Sequence, residues 1–122
     1  QNAFCEWKSR NSSLQFVLEN WWRMPEVQSY EEKHFGKENG FHATCGEVSL
    51  TMYTHPEAFE KIEKQNFQVE YPSYRQPLSA SEFRKTFPDG RMFSNPGLST
   101  AEHGKNLFDL SVKALIERVS EL

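Results

Sequence analysis

The sequence predicts an α/β fold, and three observations carry that expectation. Residues 14–22, L-Q-F-V-L-E-N-W-W, form an apolar, β-favouring run in which Leu14, Phe16 and Leu18 alternate on one side and Val17 lies on the other. A strand that is apolar on both faces suits the interior of a sheet covered by helices. Segments with helical spacing flank it, and they supply those covering layers.

Taken in order, residues 1–8 place Ala3, Phe4 and Trp7 at helical spacing, and residues 10–13 bring polar turn chemistry, so a short opening helix is expected. The strand of residues 14–22 follows, and Pro25 ends it. Residues 26–40 are polar, charged and turn-rich, with Gly36 and Gly40 as hinges, and read as a surface segment. Residues 44–53 look helical. After the break at Thr54, His55 and Pro56, residues 56–65 read as a second short helix carrying Phe59 and Ile62. Residues 66–95 are mostly irregular, with Pro72, Pro77, Pro88 and Gly90 set among Tyr71, Tyr74, Phe83 and Phe87. So long an irregular stretch in a small domain is usually functional or interfacial. Residues 99–122 give the clearest helix. Phe108, Val112, Leu115, Val119 and Leu122 recur at spacings of three and four, opposite Lys105, Asp109 and Lys113, and that apolar stripe is expected to lie on one face of the sheet.

Composition bounds the partners. At 122 residues and 37% hydrophobic, the chain holds one modest core, so residues 1–122 are expected to form one domain. The net charge of -3 comes from 17 acids and 14 bases scattered along the chain, which leaves no basic stripe for phosphates and argues against nucleic acid. No apolar run approaches the ~20 residues that cross a bilayer, so no membrane partner is expected. Cys5 and Cys45 fit no zinc spacing and read as free thiols of a reducing compartment, which points to the cytoplasm. Because the first residue is Gln1 and not Met, the chain is expected to be a processed product or a piece of a longer protein.

The stretch 41–49, F-H-A-T-C-G-E-V-S, concentrates the chemistry. His42 closes a glycine-containing loop just ahead of a helix, where an imidazole can act as acid or base, although a lone histidine is more often structural or solvated. Glu47 could be a metal ligand or a base. Thr44 three residues before it equally makes a capping box, in which the carboxylate only bonds back to the backbone. The same spacing recurs at Ser29 with Glu32, Thr54 with Glu57, Ser79 with Glu82 and Ser99 with Glu102, which favours capping. Trp21 and Trp22 end the predicted strand, where α/β sheets bind their ligands, and could wall a pocket, although one of two adjacent strand residues should face the core. His34, His55 and His103 lack ligand spacing and read as surface residues. Cys45, three residues after His42, leaves open a thiol nucleophile.

The segment His42, Ala43, Thr44, Cys45, Gly46, Glu47, Val48, Ser49 resembles the H-A-G-x-x-E-T-S motif of the creatininase (creatinine amidohydrolase) family, with Thr44 at its glycine and Val48 at its threonine. Residues 87–98, F-P-D-G-R-M-F-S-N-P-G-L, followed by S-T-A-E-H-G-K-N-L-F, are similar to that family's loop into its last helix, and the tryptophan pair fits as well. The resemblance implies a three-layer α/β/α sandwich with a mainly parallel sheet, of which this chain supplies the C-terminal half. It implies a metal-dependent hydrolase of a small cyclic or linear amide, usually a homo-oligomer, using two divalent ions such as zinc, manganese or iron. On this mapping Glu47 is a metal ligand, His42 stabilises the tetrahedral intermediate or protonates the leaving nitrogen, and Trp21 or Trp22 shapes the substrate pocket. The remaining ligands would lie in an N-terminal half, as a separate or cleaved chain, without which the 122 residues are inactive. The rival reading is a non-catalytic binding or structural subunit derived from such a hydrolase.

Overall fold

A computed structural model describes residues 2–63, 65 and 67–122. The described residues form α1 (Asn2–Arg10), α2 (Pro25–His34), α3 (Cys45–Thr54), α4 (Ala80–Thr86) and α5 (Ala101–Ser120). Short 3-10 turns fill Trp21–Arg23, Gly36–Asn39, Pro56–Phe59 and Pro96–Leu98.

Among the described residues there is no strand and no sheet, so the α/β expectation, and with it the three-layer sandwich around a mainly parallel sheet, is corrected to an all-helical fold. The physical reason lies in residues 14–20. They carry no regular secondary structure, because no described segment pairs with them to complete a ladder, and β-propensity measures fit to a pleated surface without supplying the partner strand. Leu18 is 75% exposed, Phe16 stacks on Phe4 of α1 at 4.8 Å, and Trp21 and Trp22 wind into a 3-10 turn.

Residues 26–40 required the second correction. Pro25 does not close an element but opens α2 from its first turn, where a missing N–H costs nothing. Met24, Val27, Glu31 and Phe35 then fall on one buried row. The short helix expected at residues 56–65 is confined to the 3-10 turn Pro56–Phe59, and Lys64 within that range lies outside the described residues. Residues 66–95 are irregular as expected apart from α4, with Asn66 outside the described residues.

The core sits where α5 meets α2 and α3. Leu107 and Ala114 of α5 pack with Met24 and Val27, and Trp21, Tyr30 and Leu110 close around them. Tyr30 of α2 bonds to His103 near the start of α5 at 2.8 Å, while Glu19 ahead of α2 meets Arg118 near its end at 3.4 Å, so the two helices run antiparallel. On the other side α3 approaches so closely that a Cβ at Gly104 would overlap the Ser49 carbonyl. The face that α5 buries is therefore Gly104, Leu107, Ser111 and Ala114, and the stripe expected to face a sheet is exposed, with Phe108, Val112, Leu115, Val119 and Leu122 between 38% and 58%. Small residues won this contact because they let backbones approach within van der Waals range. No helix of the described residues is long and apolar enough to cross a membrane. Both thiols are free, Cys5 being exposed and Cys45 buried.

Candidate functional site

Two distant loops clasp one another to build the junction that carries His42 and Glu47. The Phe41 N–H donates to the Met92 carbonyl at 2.9 Å, and the Asn95 N–H to the Glu38 carbonyl at 2.8 Å. Ser94 Oγ donates to the His42 carbonyl at 2.6 Å. Asn95 Nδ2 donates to Glu38 Oε2 at 2.6 Å. Beneath the clasp, Arg91 bonds to Asp89 and to the Ser94 carbonyl and lies 4.3 Å over the Phe67 ring. Ala43, Met92 and Phe93 all take left-handed backbone conformations, φ 47°, 47° and 72°, which L-residues adopt only where surrounding contacts hold them. Phe93 is held by rings on several sides, among them Phe41 at 5.9 Å, Tyr71 at 5.4 Å and Phe87 at 5.3 Å.

At the end of this loop Thr44 caps α3. Its Oγ1 accepts from the Glu47 N–H at 3.1 Å while Glu47 Oε2 accepts from the Thr44 N–H at 3.0 Å, so the capping box read from the sequence is formed. Ser79 with Glu82 forms the same box at α4. The other three spacings do not: Ser29 lies inside α2, Thr54 ends α3, and Thr100 caps α5 in place of Ser99. His42 is exposed, and among the described residues its ring makes no hydrogen bond. His42 and Glu47 thus share one loop–helix junction.

Trp21 and Trp22 do not join them within this chain. They sit edge to face at 6.0 Å at the start of α2, whose length of about 15 Å separates them from the junction. Trp21 packs on the core and Trp22 is 48% exposed, so one of the pair is core as expected, but from a 3-10 turn and not from the end of a strand. Of the remaining histidines, His34 and His55 are exposed as expected. His103 is not, since it is half-buried between Tyr30, His34 and Phe35.

Reasoning from the sequence missed Glu31, Glu38, Ser94 and Asn95. Glu31 is only 8% exposed, at the last turn of α2 against Gly46. Its carboxyl is pushed up to about 7, chiefly by loss of water, with a hydrogen bond from Asn39 opposing and the charge of Glu47 adding. The signal was available: a lone Glu at i+4 from Val27 and i−4 from Phe35, inside an otherwise apolar row, marks a buried carboxyl. Cys45 is closed as a nucleophile. Its thiol is fully buried, donates to the Glu38 and Asn95 carbonyls at 3.2 and 3.1 Å, and is pushed up to about 11 by burial, which keeps it protonated.

A family model described as creatininase, creatinine amidohydrolase, matches residues 1–119. Among curated proteins no match is found. At family level the match means amidohydrolase chemistry, and members of the family are generally metal-dependent. The described residues do not by themselves fit such a metal: Glu47 is a single carboxylate engaged in a cap, and among the described residues no three His, Cys, Asp or Glu side chains converge as ligands. Matched over nearly its whole length, the chain belongs to the creatininase family.

Proposed function

We propose that this chain is part of a metal-dependent hydrolase of the C–N bond in a small cyclic or linear amide, active only together with an N-terminal half that supplies the other metal ligands. The observation that carries this reading is the shared placement of His42 and Glu47, the chemical residues of the motif, on one clamped junction. The exposed His42 ring is assigned to stabilising the tetrahedral intermediate or protonating the leaving nitrogen. Glu47 is assigned as one carboxylate ligand of a divalent ion, zinc, manganese or iron, with two ions in the complete site. Of Trp21 and Trp22, Trp22 offers an exposed ring and is assigned to the outer wall of the substrate pocket, with Trp21 holding it from the core side.

Association with the second half, and assembly as a homo-oligomer, is supported by the apolar stripe of α5, since contiguous exposed apolar surface on a small protein marks a contact. Free thiols support a reducing compartment, the cytoplasm. A second reading has its own observation. The formed capping box gives Glu47 a complete role without metal, as expected of a non-catalytic binding or structural subunit.

Substituting Glu47→Gln separates the two, because glutamine keeps the cap and loses the charge. The expected result, measured on purified protein with every co-purifying chain retained, is a drop in metal affinity on the order of tenfold or more with an unchanged melting temperature. Equal metal binding by the variant leaves the cap reading standing. Absence of any divalent ion from the unsubstituted protein under those conditions removes the hydrolase reading.

A further inference from the structure

We infer that the cavity between residues 68–72 and 86–94 binds a single aromatic ring carrying no negative charge, and that this ring is the non-reacting substituent of an amide substrate. The second half of that assignment rests on the hydrolase reading, while ring binding stands without it.

The cavity measures about 220 Å³. A benzene-sized ring is held by a space of about 150 Å³, and drug-sized ligands take about 300–1,000 Å³, so the volume suits one ring and the atoms that join it to a molecule. Aromatic side chains form part of the wall. Phe87 is buried and meets Phe93 edge to face at 5.3 Å, and Tyr74 meets Phe87 in the same way, also at 5.3 Å. Rings pair at such separations, and a guest ring against Phe87 and Phe93 extends the same set. Val69 and Met92 add aliphatic and thioether surface that packs well on a ring. The wall is held in place, since Met92 and Phe93 have fixed left-handed backbones and the Met92 carbonyl accepts the Phe41 N–H at 2.9 Å.

Charge at the cavity selects against an anion. Arg91, the cation among its lining residues, is committed to Asp89, to the Ser94 carbonyl and to the Phe67 ring. The hydroxyls are committed as well, Ser94 Oγ donating to the His42 carbonyl and Thr86 Oγ1 to the Glu82 carbonyl. Glu70 also lines the cavity, is exposed, and has no ion pair among the described residues. A carboxylate entering here would lose water, find no free cation and meet the Glu70 charge, whereas an uncharged ring meets none of these costs.

The same backbone carries the cavity and the candidate chemistry. Residues 92–94 line the one and hold the other: Met92 bonds to Phe41, Phe93 meets the Phe41 ring at 5.9 Å, and Ser94 bonds to the His42 carbonyl at 2.6 Å. An amide presented to the His42 imidazole therefore has this cavity beside it for its substituent.

The test is an NMR titration of the isotope-labelled full chain, without added metal, using benzamide, its anionic isostere benzoate, and acetamide, which lacks the ring. Benzamide is expected to bind with a dissociation constant on the order of 1 mM, as suits so small a ligand, and to move the Phe87, Met92 and Phe93 amides more than Leu107 in the core. Benzoate should bind about tenfold more weakly or worse, and acetamide should leave these amides unmoved. Val69→Trp, which fills the cavity, should abolish the benzamide response with the Leu107 signal unchanged. Should that variant fail to fold, the exposed Glu70→Lys decides, since it must bring benzoate level with benzamide. Ring binding is overturned if benzamide at about 10 mM leaves Phe87, Met92 and Phe93 unmoved, if benzoate or acetamide matches it, or if the folded Val69→Trp or the Glu70→Lys chain behaves as the parent. Benzamide binding that leaves the Phe41 amide and the His42 imidazole unmoved overturns the assignment of the ring to an amide substrate. None of these readouts needs a metal, so loss of the ring site and loss of the hydrolase reading are seen separately.

Discussion

Glu31 holds its proton more tightly in the folded chain than in the unfolded one, at about 7 against an ordinary 4.5, because burial strips water from the charged form. Between those values the folded state carries the extra proton, so the contribution of Glu31 to stability is greatest below about 4.5, falls as pH rises to about 7, and is flat above. The total is on the order of 3 kcal/mol. Glu31→Gln removes the titration, and urea unfolding should show the variant gaining on the parent chain by more at pH 8 than at pH 5. A gain that is equal at both values would mean that the carboxyl is not withdrawn from water. At this scale the capping residues were legible, since Thr44 and Glu47 meet within one helical turn and need only local geometry. The burial of Glu31 was not, because it depends on what α3 places against it.

Helix α5 shows how an element can be read correctly and faced wrongly. Its extent and its apolar stripe were both evident, but the residues it buries are Leu107, Ala114 and the small Gly104 and Ser111. Two substitutions distinguish the faces. Leu107→Ala, at a side chain with no exposed surface, should destabilise by about 2–5 kcal/mol in thermal or urea unfolding. Val119→Lys, at a stripe side chain 58% exposed, should change stability by no more than about 0.5 kcal/mol in the isolated chain. The opposite ranking would return the stripe to the core. Helix α2 was missed for a related reason. A proline is a stop signal inside a helix and a start signal at its first turn, and only the row Met24, Val27, Glu31, Phe35 tells which applies.

For the molecule as a whole, the consequential contact is the clasp between the loop before α3 and the loop before α5, residues far apart in sequence. Gly40 stands at the crossing with φ 68°, and a Cβ there would run into the Ser94 backbone. Gly40→Ala should therefore lower stability by more than about 2 kcal/mol in chemical denaturation, since both the backbone conformation and the space exclude it. It should also release the Ser94 hold on the His42 carbonyl, visible as faster exchange at Phe41, whose N–H bonds to Met92. By itself the sequence determined the family, the position of His42 and Glu47 on one helix start, the cap that holds it, and the extent of the last helix. These depend on residue identity at fixed local spacing, which the chain carries with it. The tertiary structure decided that residues 14–20 make no ladder, that a proline-led segment is a buried helix, which face of α5 is core, and that Glu31 lies against Gly46 at the start of α3. Each of these depends on a partner distant in sequence, and a residue pattern specifies a surface without specifying what covers it.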